Sequence, residues 1–134
     1  MELADHLEER AYRFAVRVLR FCPHLPRSPE GATIRGQLLR AALGTVGNYR
    51  AARRGRSRKE FVSQLGRVAE EADEACLWTR LIVDSGLSET DDALALRSEA
   101  SELERIFAKS YGTARANLRR ERQIAKLRTR QLAK

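Results

Sequence analysis

Residues 36–86 decide the fold of this chain, and their sequence is GQLLRAALGTVGNYRAARRGRSRKEFVSQLGRVAEEADEACLWTRLIVDSG. Apolar residues recur every three or four positions on both sides of a short turn, which is the pattern of two amphipathic helices. Because the turn is short, the two helices must lie antiparallel. The turn carries six basic residues and no acid: Arg50, Arg53, Arg54, Arg56, Arg58 and Lys59. The stretch therefore predicts a helical hairpin with a concentrated positive charge at one end.

Capping and breaking residues place four helices along the 134 residues. Prolines end the first helix after about residue 21. Ser28 and Ser57 have the pattern of N-cap residues for the second and third helices. Gly86 ends the third helix, and a weaker capping pattern at Ser88 opens the fourth. We predict an all-α, up-down-up-down antiparallel four-helix bundle over residues 1–114, followed by a basic C-terminal extension of helix four over residues 115–134.

One apolar stripe on each helix is predicted to face the core, since its members recur with the helical period. The members are Leu3, Leu7, Ala11, Phe14, Val18 and Phe21 on helix one; Ile34, Leu38, Ala41, Ala42, Thr45, Tyr49 and Ala52 on helix two; Phe61, Leu65, Val68, Ala72, Cys76, Thr79 and Val83 on helix three; and Leu96, Ala100, Leu103, Phe107, Ser110 and Ala114 on helix four.

Composition limits the class of protein and of partner. Charged residues make up 33% of the chain and the net charge is +8, which favours an anionic partner, nucleic acid first and a membrane surface second. No apolar run approaches the ~20 residues that span a bilayer, and the N-terminus does not resemble a signal peptide. The two cysteines form no disulfide framework. We expect a cytoplasmic protein without a membrane partner.

The C-terminal segment repeats the charge of the turn. Residues 115–134 hold eight basic residues and one acid, and in an up-down bundle this segment leaves at the same end as the turn. Phosphate groups are held by such clusters without base contacts. We predict that nucleic acid binds through Arg50, Arg53, Arg54, Arg56, Arg58, Lys59, Arg115, Arg119, Arg120, Arg122, Lys126, Arg128 and Arg130. The alternative is a solvated basic end that binds nothing specific.

Further apolar residues lie outside the core stripes. Helix one has Tyr12, Val16 and Leu19 on a second stripe, and exposed apolar patches of this extent mark interfaces. We predict a homo-oligomer whose interface contains Leu39, Leu43, Val46, Leu77, Trp78 and Leu81. The alternative is a core wider than the helical wheel indicates.

The residues that could support catalysis or metal binding lack partners. His6 and His24 have no carboxylate or cysteine at ligand spacing, and the acids of helix three lack the Glu-x-x-His pairs of di-iron bundles. Cys76 falls in the core stripe, where it acts as a small apolar residue. We therefore predict no catalytic residues, no metal and no cofactor.

Several short motifs resemble the bacterial four helix bundle protein family, whose members are also described as 23S ribosomal RNA intervening-sequence proteins. The resemblance covers about residues 4–114. It rests on QLLR at residues 37–40, VGNYR at 46–50, SRKEF at 57–61, and EADE at 71–74 followed by Trp78. The basic segment after Ala114 is longer than is common in the family.

This resemblance implies an up-and-down bundle that assembles as a homopentamer around a central channel. Relatives include proteins encoded within ribosomal RNA insertions and accessory variability proteins of diversity-generating retroelements, which act with a reverse transcriptase and its template RNA. The resemblance implies no catalytic residues. Our hypothesis is a non-catalytic, oligomeric RNA-binding bundle, accessory to ribosomal RNA or to a reverse transcriptase–RNA complex. The alternative is a protein–protein adaptor whose arginines dock on an acidic partner without direct contact to nucleic acid.

Overall fold

The computed structural model describes residues 2–133, so Met1 and Lys134 lie outside the described residues. The helices are α1 (Leu3–Phe21), α2 (Pro29–Arg53), α3 (Arg58–Asp84) and α4 (Asp91–Ala133), with a single 3-10 turn at Cys22–His24 after α1. No strand occurs within residues 2–133. The predicted all-α four-helix architecture is confirmed.

Capping residues set two of the helix starts where the sequence predicted them. The Ser28 hydroxyl accepts a hydrogen bond from the Gly31 amide at 3.1 Å, and the Ser57 hydroxyl accepts one from the Glu60 amide at 3.1 Å. Each bond satisfies an amide that has no carbonyl partner in the first turn of its helix. Gly86 has a φ of 80°, a left-handed conformation that ends the helical segment at low cost for glycine.

The predicted start of helix four at Ser88 is wrong by about two residues. The helix begins at Asp91, and the Thr90 hydroxyl accepts a hydrogen bond from the Ala93 amide at 3.2 Å. The Ser88 hydroxyl lies 3.2 Å from the Thr90 hydroxyl and does not cap the helix itself. Serine and threonine are both favoured N-cap residues, and here Thr90, which directly precedes the helix, is the one that caps it.

Helix packing follows the order of the chain. The most extensive contacts join α2 to α3 and α3 to α4, and α1 packs against both α2 and α4 to close the bundle. The largest fully buried side chains include Phe14 from α1 and Phe107 from α4. The Phe107 ring also packs against the Tyr49 ring at 5.2 Å between centroids. Each such buried aromatic contributes about 1.5–3 kcal/mol relative to an exposed one.

Each predicted core stripe includes at least one residue that is not buried, and α3 differs most; on α2 only Ile34 is half-buried. On α3, the predicted Phe61, Cys76 and Val83 are only half-buried, while Val62, Ala75 and Ile82 are buried. This helix packs against α2 on one flank and α4 on the other, so its buried arc is wider than one apolar stripe.

At the start of α1, Leu3 was predicted to face the core and is instead 74% exposed. At the other end of the chain, Ser110 and Ala114 on α4 are half-buried. The core therefore narrows at the end of the bundle where α1 begins and α4 leaves.

Candidate nucleic-acid interface

The basic turn is held tightly between α2 and α3. Gly55 lies between the helices, where a Cβ would approach the Ala52 carbonyl oxygen at 3.1 Å and the Phe61 amide nitrogen at 3.2 Å. The Arg56 amide donates to the Glu60 carboxylate at 3.0 Å. The backbone of the turn is thus held by close packing at Gly55 and by the Glu60 carboxylate.

Two of the six turn cations form ion pairs with acids of α1. The Arg53 guanidinium donates to the Asp5 carboxylate at 2.7 Å and to the Glu8 carboxylate at 3.0 Å. Arg50 also lies 3.8 Å from Glu8. The hydrogen bond from Arg53 lowers the pKa of Asp5. The sequence predicts phosphate binding by all six turn cations, and in the folded protein the charge of Arg50 and Arg53 is partly balanced by these acids.

Asp5 and Glu8 are the site residues that sequence reasoning missed. The signal was present, because an up-down bundle places the start of α1 at the same end as the α2–α3 turn. The acidic N-terminal sequence ELADHLEE therefore had to meet the basic turn.

The other turn cations are more accessible. Arg54, Arg56 and Lys59 are exposed, and within residues 2–133 none of them takes part in an ion pair. Arg58 pairs with Glu121 of α4, with 3.3 Å between the guanidinium and carboxylate atoms. Three turn cations are therefore free to meet an external anion.

The C-terminal segment of α4 meets the turn, as the predicted topology requires. The Arg58–Glu121 contact places α4 beside the start of α3, and the helix continues without a break to Ala133. We call residues 115–133 the arm, and we call the arm together with the turn at residues 50–59 the basic pole. Seven predicted cations lie on the arm, all of them exposed: Arg115, Arg119, Arg120, Arg122, Lys126, Arg128 and Arg130.

The positive charge of the arm is hardly balanced by acidic residues within the arm. Glu121 is the one acid in residues 115–133, and Arg58 of the turn already pairs with it. No arm cation forms an ion pair with another residue of the described range 2–133. The arm cations and the three free turn cations together give ten unpaired cations at one end of the bundle.

The predicted interface residues fall on two separate surfaces. On α2, Leu39, Val46 and Arg53 follow one another at intervals of seven residues and so share one flank of the helix. Arg53 pairs with acids of α1, so this flank faces α1. Leu43 lies on the same side and is 45% exposed. We call this flank, together with Tyr12 and Leu19 of α1, the α1/α2 surface.

The other predicted interface residues lie on α3. Leu77 and Leu81 are 45% and 42% exposed, while Trp78 packs partly against the core. Trp78 follows Glu71 by seven residues and so shares its flank of α3, and Glu71 contacts α2. This group therefore lies near the flank of α2 that faces α3, which is opposite the flank that faces α1. We call Leu77, Trp78 and Leu81 the α3 surface.

A polar contact joins two of the sequence motifs across the α2–α3 seam. The Asn48 amide donates to the Glu71 carboxylate at 2.6 Å. Gly44 leaves the room for this carboxylate, since a Cβ there would lie 1.5 Å from a Glu71 oxygen. Burial raises the pKa of Glu71, and the neighbouring Glu74 raises it further. Residues of two sequence motifs thus contact each other where the two central helices pack.

Comparison with known proteins identifies the family of the chain. The sequence model of a family described as 23S rRNA-intervening sequence protein matches residues 6–109, which is most of the chain. The chain belongs to the 23S rRNA-intervening sequence protein family. A search of curated proteins finds no match.

A solved structure has the same fold as this member of the 23S rRNA-intervening sequence protein family. It is a protein of unknown function from the S23 ribosomal protein family of Bacteroides thetaiotaomicron, 20% identical, with a TM-score of 0.70. The match covers 78% of this chain and 97% of the other. At that identity the likeness shows the fold alone. The family match ends at residue 109, before the arm begins.

Other kinds of site have little support in the described residues. No group of three or more His, Cys, Asp and Glu side chains within residues 2–133 is arranged to hold a metal ion. Burial raises the pKa of the Cys22 thiol to about 11, so at neutral pH it is protonated and a poor nucleophile. Over the same residues, no helix is both long enough and apolar enough to cross a membrane.

Proposed function

We propose that this member of the 23S rRNA-intervening sequence protein family is a non-catalytic, oligomeric RNA-binding protein that holds RNA by its phosphates. The observation that carries the proposal is the set of ten unpaired cations at the basic pole. The family description supports RNA, and ribosomal RNA in particular, as the nucleic acid. A reverse transcriptase–RNA complex is the second RNA context that we propose, on the resemblance described above.

The charge distribution supports binding to phosphate more than binding to bases. Arginine and lysine side chains that neutralise phosphates release condensed counterions, which drives association without reading sequence. Ten cations without internal partners raise the free energy of the folded protein, because like charges repel. Solvent or bound anions reduce this repulsion. The bases of single strands usually stack on aromatic side chains. From residue 112 to the end of the chain there is no aromatic residue.

The experiment compares two triple variants with equal loss of charge. Arg54, Arg56 and Lys59 are replaced by alanine in the first, and Arg17, Arg20 and Arg27 in the second. The second set is exposed, lies toward the opposite end of the bundle, and takes part in no ion pair within residues 2–133. Affinity for a labelled RNA hairpin is measured by fluorescence anisotropy at fixed salt.

The proposal expects the first variant to bind the hairpin at least tenfold more weakly than the second, because only the first removes phosphate contacts. Equal affinities for the two variants would contradict it. Wild-type protein that binds polyglutamate but not the hairpin would favour the adaptor alternative, in which an acidic protein takes the place of RNA.

The two apolar surfaces support the oligomeric part of the proposal. Ring assemblies form when one surface of a protomer packs against a different surface of the next protomer. The α1/α2 surface and the α3 surface each expose leucine side chains, and helical spacing places them on different sides of the bundle. We propose a ring, and the family resemblance supports five subunits.

A further inference from the structure

The arm projects as a continuous helix beyond the rest of the bundle. All residues from 119 to 133 are exposed, and at about 1.5 Å per residue this stretch extends for about 22 Å. Most residues that contact the bundle lie earlier, with Asn117 and Leu118 still half-buried. The arm also lies beyond the residues that match the family. The arm is therefore an addition to the bundle, and packing of the bundle does not account for its presence.

Five of the seven arm cations share one face of the helix. Arg115, Arg119, Arg122, Lys126 and Arg130 follow one another at intervals of four, three, four and four residues, which keeps them within one stripe. Their Cα atoms span about 22 Å along the axis. Arg120 and Arg128 lie on other faces. We call the five residues the arm stripe.

The arm stripe starts beside a free cation of the turn. Gly66 of α3 faces the Tyr111 ring of α4, since a Cβ at Gly66 would lie 3.0 Å from that ring. Lys59 precedes Gly66 by seven residues and so shares its flank of α3, while Arg115 follows Tyr111 by four residues on α4. Lys59 therefore lies on the side of α3 that faces the beginning of the stripe. At least one free cation of the turn, Lys59, therefore lies on the same side of the bundle as the arm stripe.

A straight, rigid row of charge fits a rigid array of phosphates. Double-stranded nucleic acid carries one charge for about each 1.7 Å of its axis and holds a stiff shape, whereas a single strand must be ordered before it can follow a helix. Proteins that bind single strands tightly combine cations with stacking aromatics. The arm has no aromatic residue. Double-stranded RNA, in contrast, is recognised through shape and phosphate contacts.

We infer that the arm stripe lies along the phosphates of double-helical nucleic acid and makes this protein select duplexes over single strands. The inference rests on the proposed function, because it specifies the form of nucleic acid that the basic pole binds. Charge neutralisation by itself fits an RNA or a DNA duplex, so both are used as probes.

Two double variants provide a matched test on the full chain. Arg122 and Arg130 lie on the stripe, and Arg120 and Arg128 lie off it. Both pairs consist of arginines eight residues apart on the same helix. Each pair is replaced by glutamine, which has a helix propensity close to that of arginine. Circular dichroism confirms equal helix content before affinities are compared.

Affinity is measured for a 20-base-pair RNA duplex, a DNA duplex of the same length and an unpaired RNA strand. The inference expects R122Q/R130Q to weaken binding to a duplex by roughly 30-fold at 0.15 M salt, from the loss of two phosphate contacts. R120Q/R128Q removes the same charge from the basic pole but no contact of the arm stripe, so it should weaken duplex binding clearly less, by roughly threefold. Wild-type protein should bind at least one duplex more than tenfold more tightly than the unpaired strand.

Equal effects of the two variants, or equal affinity of the wild-type protein for duplex and single strand, would overturn the inference. Either result leaves the proposed function intact if the turn variant still weakens binding. If wild-type protein binds none of the three probes, the proposed function fails together with the inference.

Discussion

Arg58 at the start of α3 pairs with Glu121 of α4, with 3.3 Å between guanidinium nitrogen and carboxylate oxygen. Both side chains are about half exposed, so the pair adds little to stability. Its importance is positional, because it joins the basic turn to the point where the arm leaves the bundle. It also neutralises the one acid of the arm, which leaves the arm cations without an internal partner.

Adjacent arginines at the end of α2 are predicted to have different roles. Arg53 is bound by Asp5 and Glu8, whereas Arg54 has no ion pair within residues 2–133. R53A should lower the thermal midpoint by a few degrees, since it leaves two carboxylates of α1 without their partner. R54A should leave the midpoint unchanged and weaken RNA binding by roughly fivefold at 0.15 M salt. Thermal melts and anisotropy on both variants provide the comparison, and a reversed pattern contradicts it.

Acid should remove the contribution of the Asp5–Arg53 pair. The hydrogen bond from Arg53 lowers the pKa of Asp5 in the folded protein below the ordinary 3.8. The stabilisation is therefore present above pH 3.8 and is lost as the pH falls through the lower folded-state pKa. Wild-type protein should melt at a higher temperature than D5N at pH 6, and the difference should shrink steadily as the pH falls below 3.8. A difference that is constant with pH would show that the ion pair does not contribute.

Glu71 should have the opposite effect on stability. Burial raises its pKa in the folded protein above the ordinary 4.5, so the charged form destabilises the fold. This cost is absent well below pH 4.5, grows as the pH rises toward the folded-state pKa, and is complete above it. E71Q can still accept the hydrogen bond from Asn48. It should melt at a higher temperature than wild type at pH 7, and the gain should shrink toward pH 4.

Mixing two interface variants tests the ring. L43E places a charge on the α1/α2 surface and L81E places one on the α3 surface. If the two surfaces meet between protomers, each variant alone should be monomeric by native mass spectrometry. An equimolar mixture should give a heterodimer, because one intact copy of each surface remains. Variants that stay oligomeric, or a mixture that stays monomeric, would contradict a heterologous ring.

Much of the architecture was predictable because local signals agreed with one another. The caps at Ser28 and Ser57, the stop at Gly86 and the 3.6-residue periodicity all indicated the same four helices. The rotation of α3 was harder to predict. Its core face includes the small Ala75, and a stripe chosen by apolar residues favoured Cys76 instead. Which neighbouring residue is buried depends on the two helices that flank α3, and this is a tertiary effect.

The candidate site was predicted in position but not in composition. The sequence placed the turn and the arm at one end, and the Arg58–Glu121 pair agrees with that arrangement. The net charge of the turn and the arm does not reveal the pairing of Arg53 with α1, because the acidic start of α1 meets the turn only in the folded bundle. The sequence also does not show that Leu43 and Leu81 lie on two separate surfaces, because this depends on which flank of α2 faces α1.

The salt dependence of RNA binding tests the central claim most directly. The affinity of wild-type protein and of the Arg54, Arg56 and Lys59 alanine variant for an RNA hairpin is measured from 50 to about 300 mM salt, a range in which phosphate contacts weaken strongly. Log affinity for wild type should fall steeply and linearly with log salt. Loss of three phosphate contacts should make the variant's slope shallower by roughly 2 to 3. Two slopes that coincide would show that the unpaired cations of the basic pole do not hold the RNA.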